Sequence, residues 1–135
     1  VITYPNNDDG TDDIQKIIRK WENHRKIHVI KSLGSKSYYS LICSTGFVIG
    51  NSSSGVIEVP YFNKISLNVG SRQDGREKDH NVVDVKPTKK SLKESLLDVY
   101  NGKIKSKKCN ELYGKGNSSI IMTKIIKEKL IDAKY

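Results

Sequence analysis

The feature that most constrains this chain is an apolar run that gives way at once to small polar residues. Phe47-Val48-Ile49-Gly50 is followed directly by Asn51-Ser52-Ser53-Ser54-Gly55. An apolar stretch without alternation suits a strand covered on both faces, as in a parallel sheet flanked by helices. Serine and glycine after it suit a tight strand-to-helix turn. The same unit recurs along the chain. Val1–Tyr4 predicts a strand, stopped by Pro5 to Gly10. Thr11 is a suitable N-cap with Asp12 and Asp13 behind it, and Ile14, Ile17, Ile18 and Trp21 predict one helical stripe to about residue 24. Residues 27–30 predict a second strand. Ser35 opens a helix with Tyr38, Tyr39, Leu41 and Ile42 inside, and Gly46 ends it.

After the third strand at 47–50, a short helix runs through Glu58 to Pro60. Ile65–Val69 and Val82–Val85 predict strands four and five, with a polar loop from Gly70 to Asn81 between them. Pro87 and Thr88 start a helix whose apolar face is Leu92, Leu96, Leu97 and Val99, closed by Asn101-Gly102. Ser106–Leu112 suggests one or two further helical turns. A last helix runs from Ser118 to about Ile131, with Ile121, Ile125 and Leu130 as buried candidates. Such alternation implies right-handed crossovers and a doubly wound parallel α/β sheet, Rossmann-like in class.

Composition narrows the function classes. No apolar run nears the about 18 residues that span a bilayer, and no leader pattern precedes the first strand. Two cysteines, Cys43 and Cys109, are too few for a disulfide scaffold or a four-ligand zinc site. A cytoplasmic globular unit is expected. Its opening inside a buried-type strand is what an excised segment would show. The formal net charge is +9. Residues 1–85 contribute only +1 and residues 86–135 contribute +8, the latter entirely through lysine. A lysine-rich face attracts phosphates non-specifically, but no nucleic-acid motif accompanies it.

In a doubly wound sheet, ligands sit at the carboxyl ends of the strands. The loop Gly50–Gly55 is a candidate diphosphate cradle: small residues let backbone N–H groups approach, and serine hydroxyls add donors. Glu58, one turn further on, suits a pair of ribose hydroxyls. The loop Gly70-Ser71-Arg72-Gln73-Asp74-Gly75-Arg76-Glu77 offers Arg72 for bidentate pairing with a diphosphate, whereas Arg76 suits a structural ion pair. Neither a P-loop nor a nucleophile elbow is present. His24, His28 and His80 are scattered, and no H-x-x-x-H pair falls within a predicted helix, so a metal site is not expected. His28 suits strand packing, His24 a helix end, and His80 falls in the ligand-side loop. Cys43 suits helix packing and Cys109 the surface, and neither has the neighbours of an activated thiolate.

Three blocks together resemble a known family. Tyr4-Pro5-Asn6-Asn7-Asp8-Asp9-Gly10, Gly50–Pro60 and Asn68–Glu77 resemble, in order and at similar spacing, the hydrolysing UDP-N-acetylglucosamine 2-epimerases of bacterial sialic-acid pathways and the animal bifunctional enzyme. The resemblance covers nearly the whole chain. It implies the second half of a two-domain glycosyltransferase-B-type fold, with residues 1–135 forming the UDP-binding C-terminal domain. By the same resemblance, Ser52, Ser53 and Gly55 face the diphosphate, Glu58 the ribose and Arg72 the UDP end. Asn6 matches a ligand-side asparagine and Leu33 a position whose backbone reads uracil. Lys16 and Arg19 fall in a helix that matches a feedback-inhibitor region of the animal enzyme, where two arginines are expected. The family's carboxylates and its catalytic histidine match no residue of this sequence.

The implied reaction is anti elimination of UDP to a glycal, then hydration to N-acetylmannosamine. The segment alone is therefore expected to be inactive. No cofactor and no metal are implied. UDP or UDP-N-acetylglucosamine, an absent N-terminal domain and further copies of the full-length enzyme are the expected partners, with no membrane and no nucleic acid. The last helix of such folds commonly crosses to the other domain, which would leave part of its apolar face between Ile120 and Leu130 exposed. Two other readings use the same residues. One is a nucleotide-sugar glycosyltransferase of the same architecture, and the other is a lysine-rich nucleic-acid-binding module without enzymatic activity.

Overall fold

The structure, a computed structural model, describes residues 1–5 and 10–132, the last two by their backbone alone. The chain falls into two compact units, Val1–Leu41 and Ile42–Tyr135. In the first unit, β1 (Ile2–Thr3) and β2 (Val29–Ile30) pair in parallel, Ile2 opposite Val29, with helix α1 (Thr11–Arg19) between them in sequence. Helix α2 (Gly34–Ser44) follows and runs across the boundary. Thr11 is the first helical residue rather than the cap. Gly10 takes the N-cap position at φ 82°, and its carbonyl accepts from Ile14 at 3.3 Å. The helix ends earlier than its apolar stripe suggests, because the backbone tightens into three-residue turns, Trp21 N to Ile18 O at 2.8 Å and His24 N to Trp21 O at 3.0 Å. Ile18 is buried, while Ile14, Ile17 and Trp21 are about half exposed. His28 precedes β2 and is exposed, so its expected packing role is not met. Its carbonyl instead accepts from Ile2 N at 2.8 Å.

The second unit is built on a parallel sheet in the order β3 (Phe47–Gly50), β4 (Ile65–Val69), β5 (Val82–Val85). The fold is α/β with parallel strands, as the alternation implies. The five strands among the described residues nevertheless form two separate sheets. Helix α3 (Ser53–Ile57), a 3-10 turn (Val59–Phe62) and helix α4 (Lys89–Tyr100) surround the three-stranded sheet. The register places Phe47, Ile49, Ile65, Leu67, Val69, Val83 and Val85 on one face. Ile65, Leu67 and Val85 form its buried core, and Leu92, Val99 and Ile104 pack on it. The opposite face carries Ser66, Asn68 and Asp84 and lies under α3. Helices thus cover both faces, which is the doubly wound arrangement.

Helix α4 meets the core with only part of the apolar face that its sequence predicts. Leu92 and Val99 are seven apart and meet the core, whereas Leu96 and Leu97 are 37% and 47% exposed. Residues 106–112, expected to be helical, are irregular. Side chains of the sheet unit satisfy that backbone in place of helical bonds. Asn81 accepts from Lys107 N and donates to Lys107 O, both at 2.8 Å, and Asn63 Oδ1 accepts from Cys109 N at 2.8 Å. Helix α5 (Ser118–Asp132) forms as expected. Its buried candidates are not buried: Ile121, Ile125 and Leu130 are 49%, 51% and 63% exposed. The cysteine expectations exchange places, since Cys43 is exposed and Cys109 half-buried. Burial raises the Cys109 thiol above its ordinary pKa, so it remains protonated at neutral pH. No described helix is long and apolar enough to cross a membrane.

Candidate functional site

The carboxyl edge of the β3–β4–β5 sheet gathers the polar loops. At β3, Ser52 has extended backbone, and its Oγ accepts from Ser54 N at 3.4 Å, capping α3. Its carbonyl accepts from Gly55 N at 3.1 Å. Ser52 is exposed, while Ser53 and Ser54 are half-buried. Helix α3 has only five residues, so its dipole contributes little and the loop's own N–H and hydroxyl groups set its chemistry. Ser54 Oγ donates to Glu58 Oε2 at 2.6 Å. This bond spans one helical turn and fixes where the carboxylate stands. A carboxylate accepts about four hydrogen bonds, so most of its capacity remains for other donors.

Gly55 is buried for a different reason than ligand approach. A Cβ there would stand 2.7 Å from Ser66 Oγ on β4. The glycine lets α3 lie against the polar face of the sheet. That contact positions Ser52, Ser53 and Glu58 along the edge.

From β4, the chain turns at Gly70, whose φ is 82°, a conformation that glycine adopts without cost. The turn brings two consecutive side chains back to the β3 loop. Arg72 Nη1 and Gln73 Nε2 both donate to the Asn51 carbonyl, at 3.3 and 2.9 Å. The two loops that the sequence singles out therefore meet at Asn51, one residue before Ser52. Next to them, Asn68 Nδ2 donates to Asp84 Oδ1 at 2.7 Å. Lys78 Nζ reaches both Asp84 oxygens at 2.9 and 2.8 Å. Lys78 and Asn68 hold the Asp84 carboxyl below its ordinary pKa. Asn68 Oδ1 and Gln73 Oε1 are buried and take no hydrogen bond among the described residues.

Other candidates fall elsewhere. Asn6 lies outside the described residues. Leu33 is half-buried between β2 and α2 in the first unit. His80 does not join the site. The loop from Gly70 returns to the amino edge, and His80 stands two residues before β5 with Asn110 Nδ2 3.0 Å from its Nδ1. No group of three or more His, Cys, Asp or Glu among the described residues is placed to hold a metal. The sequence reading assigned no role to Gln73, Asn68 or Asp84. The available signal was polar residues within strands, Ser66 and Asn68 alternating with Ile65, Leu67 and Val69, and Asp84 within Val82–Val85.

Comparison with known proteins gives this edge a context. The family model described as UDP-N-acetylglucosamine 2-epimerase matches residues 1–127. The chain belongs to that family. Among its epimerase-family relatives, the UDP-N,N'-diacetylbacillosamine 2-epimerase (hydrolyzing) of Legionella pneumophila is 37% identical over 116 residues, 85% of this chain and 30% of that protein. A protein of Escherichia coli named for polysialic acid biosynthesis is 33% identical over 125 residues, 91% of this chain and 32% of its own length. The GDP/UDP-N,N'-diacetylbacillosamine 2-epimerase (hydrolyzing) of Campylobacter jejuni is 36% identical over 86 residues, 62% of this chain and 22% of that protein. This epimerase-family chain thus spans about a third or less of the length of the curated relatives it matches.

Proposed function

We propose that residues 1–135 are the UDP-binding C-terminal domain of a hydrolysing UDP-N-acetylglucosamine 2-epimerase, the second half of a glycosyltransferase-B-type pair. The full-length enzyme acts on UDP-N-acetylglucosamine or a related diacetamido sugar. It gives N-acetylmannosamine or its counterpart and UDP, for sialic-acid or related nonulosonate synthesis. It works in the cytoplasm as a homo-oligomer. The observation that supports this reading is the meeting of the two loops at Asn51, whose carbonyl accepts from Arg72 one residue before Ser52.

In elimination of UDP, negative charge develops on the departing diphosphate. Ser52 and Ser53 donate to it, and Arg72 supplies a fixed positive charge and paired donors, stabilising the leaving group most when its charge is greatest. Glu58, held by Ser54, accepts from the ribose hydroxyls. The proton transfers of elimination and hydration need acid and base groups that the family resemblance places outside this sequence, so the segment alone turns nothing over. The diacetylbacillosamine names of two relatives favour a diacetamido sugar as one of the two substrates to test. In the full-length enzyme, Arg72→Ala is expected to weaken UDP binding about 10- to 100-fold, the loss of one charge-assisted pair. Calorimetric titration of UDP checks this, and unchanged affinity refutes the assignment of Arg72.

A further inference from the structure

Gln73 has surroundings unlike those of its neighbours. Residues 71–72 and 74–77 are exposed, yet Gln73 is 3% exposed. Its Nε2 donates to the Asn51 carbonyl at 2.9 Å. A carbonyl only accepts, so this contact fixes which end of the amide is nitrogen. Its Oε1 is buried without a hydrogen bond among the described residues. Burying a carboxamide with one side unused is unfavourable, and leucine or methionine would fill the space without that cost. The bond to Asn51 is the feature that only an amide donor supplies.

Asn51 stands between the last residue of β3 and the cap Ser52. The peptide plane that carries its carbonyl also carries the Ser52 N–H, so fixing one fixes the other. Arg72 shares the same oxygen through a longer contact, 3.3 Å, from an exposed side chain. Of the two bonds, the one from Arg72 costs less to give up, because solvent competes for it.

We propose that Gln73 is the positioning residue of the β3–α3 loop. It holds the Asn51 carbonyl toward the protein, and so keeps the Ser52 N–H of the same peptide plane turned the other way, including when Arg72 leaves that oxygen for an anionic ligand. The last clause rests on the nucleotide reading above, whereas the positioning of the loop does not.

The test uses the full-length protein. Gln73→Met keeps the size and removes the donor. Amides of residues 52–55 in the ligand-free protein are expected to exchange about tenfold faster, while those of β4 and β5 change by less than about twofold. KM for the UDP-sugar is expected to rise more than kcat falls, since the loss is in binding geometry. Gln73→Glu supplies a second line, because a carboxyl donates to Asn51 only when protonated. Protection of 52–55, relative to wild type at each pH, is expected to recover as pH falls through the carboxyl range. Unchanged exchange at 52–55 in Gln73→Met overturns the proposal, as does a uniform increase across β3, β4 and β5. If Gln73→Met does not fold, absence of recovery in Gln73→Glu overturns it. Faster exchange at 52–55 combined with normal UDP affinity in Arg72→Ala supports the positioning role and removes the nucleotide reading.

Discussion

The two edges of the three-stranded sheet both bury polar side chains, and they use them differently. At the amino edge, Asp79 is 4% exposed and both its oxygens are bonded, to Asn81 N at 2.9 Å and Asn110 N at 2.7 Å. Burial alone would raise its pKa, but the two backbone donors and His80 outweigh that and hold it low. Asn81 uses its oxygen and its nitrogen on Lys107, and Tyr61 OH donates to Gly114 O at 2.7 Å. These bonds strap residues 107–114 to the sheet. At the carboxyl edge, Asn68 and Gln73 each use their nitrogen and leave a buried oxygen unbonded among the described residues. One edge is closed by its own chain and the other keeps unused polar capacity. The difference separates a structural polar cluster from the edge at which we propose that nucleotide binds.

Three substitutions, one of them with a second-site rescue, sharpen that contrast, in decreasing order of effect. Asp79→Ala leaves two backbone N–H groups unpaired in a buried setting and should destabilise folding by about 3 kcal/mol in urea titration. UDP affinity of the folded protein should stay within about twofold, since distant sites act independently. A large loss of affinity would erase the distinction between the edges. Gly55→Ala forces a Cβ to within 2.7 Å of Ser66 Oγ and should cost about 2 kcal/mol. Ser66→Ala should restore most of this, because Ser66 Cβ stands at an acceptable 4.0 Å. Failure of that rescue would show that the clash lies elsewhere.

Lys78→Met should have the smallest effect, within about 1 kcal/mol, since the Asp84 side chain is 57% exposed and solvent screens the pair. Its signature is in the pH dependence. Asp84 has a folded pKa below its unfolded one, so its contribution is full above the unfolded value and is lost as pH falls through the folded value. Removing Lys78 moves the folded value upward and should flatten acid unfolding below about pH 4. An unaltered slope would mean that the Lys78 contact does not set the Asp84 carboxyl.

Local chemistry made much of this legible in advance. The apolar runs at Phe47–Gly50, Ile65–Val69 and Val82–Val85 are strands, and Thr88 caps α4 by accepting from Ser91 N at 3.2 Å. The amphipathic stripes were less informative. They mark which residues are apolar but not which of them meet a partner, so Ile14 and Leu97 were placed inside and lie exposed. The coil at residues 106–112 was hidden because Asn63, Asp79 and Asn81, distant in sequence, satisfy it. At the site, the serine loop and Arg72 could be named from their chemistry. The bonds of Ser54 to Glu58 and of Gln73 to Asn51 depend on through-space geometry, and no spacing along the chain announces the second of these.

Mapping UDP onto the chain by amide shifts tests the central claim most directly. Titration is expected to move Ser52, Ser53, Glu58 and Arg72, with residues 79–81 and 107–110 at the amino edge unmoved. Silence at those four residues, with salt-sensitive shifts across residues 86–135 on adding an oligonucleotide, would contradict it and return the lysine-rich half to the centre of the function.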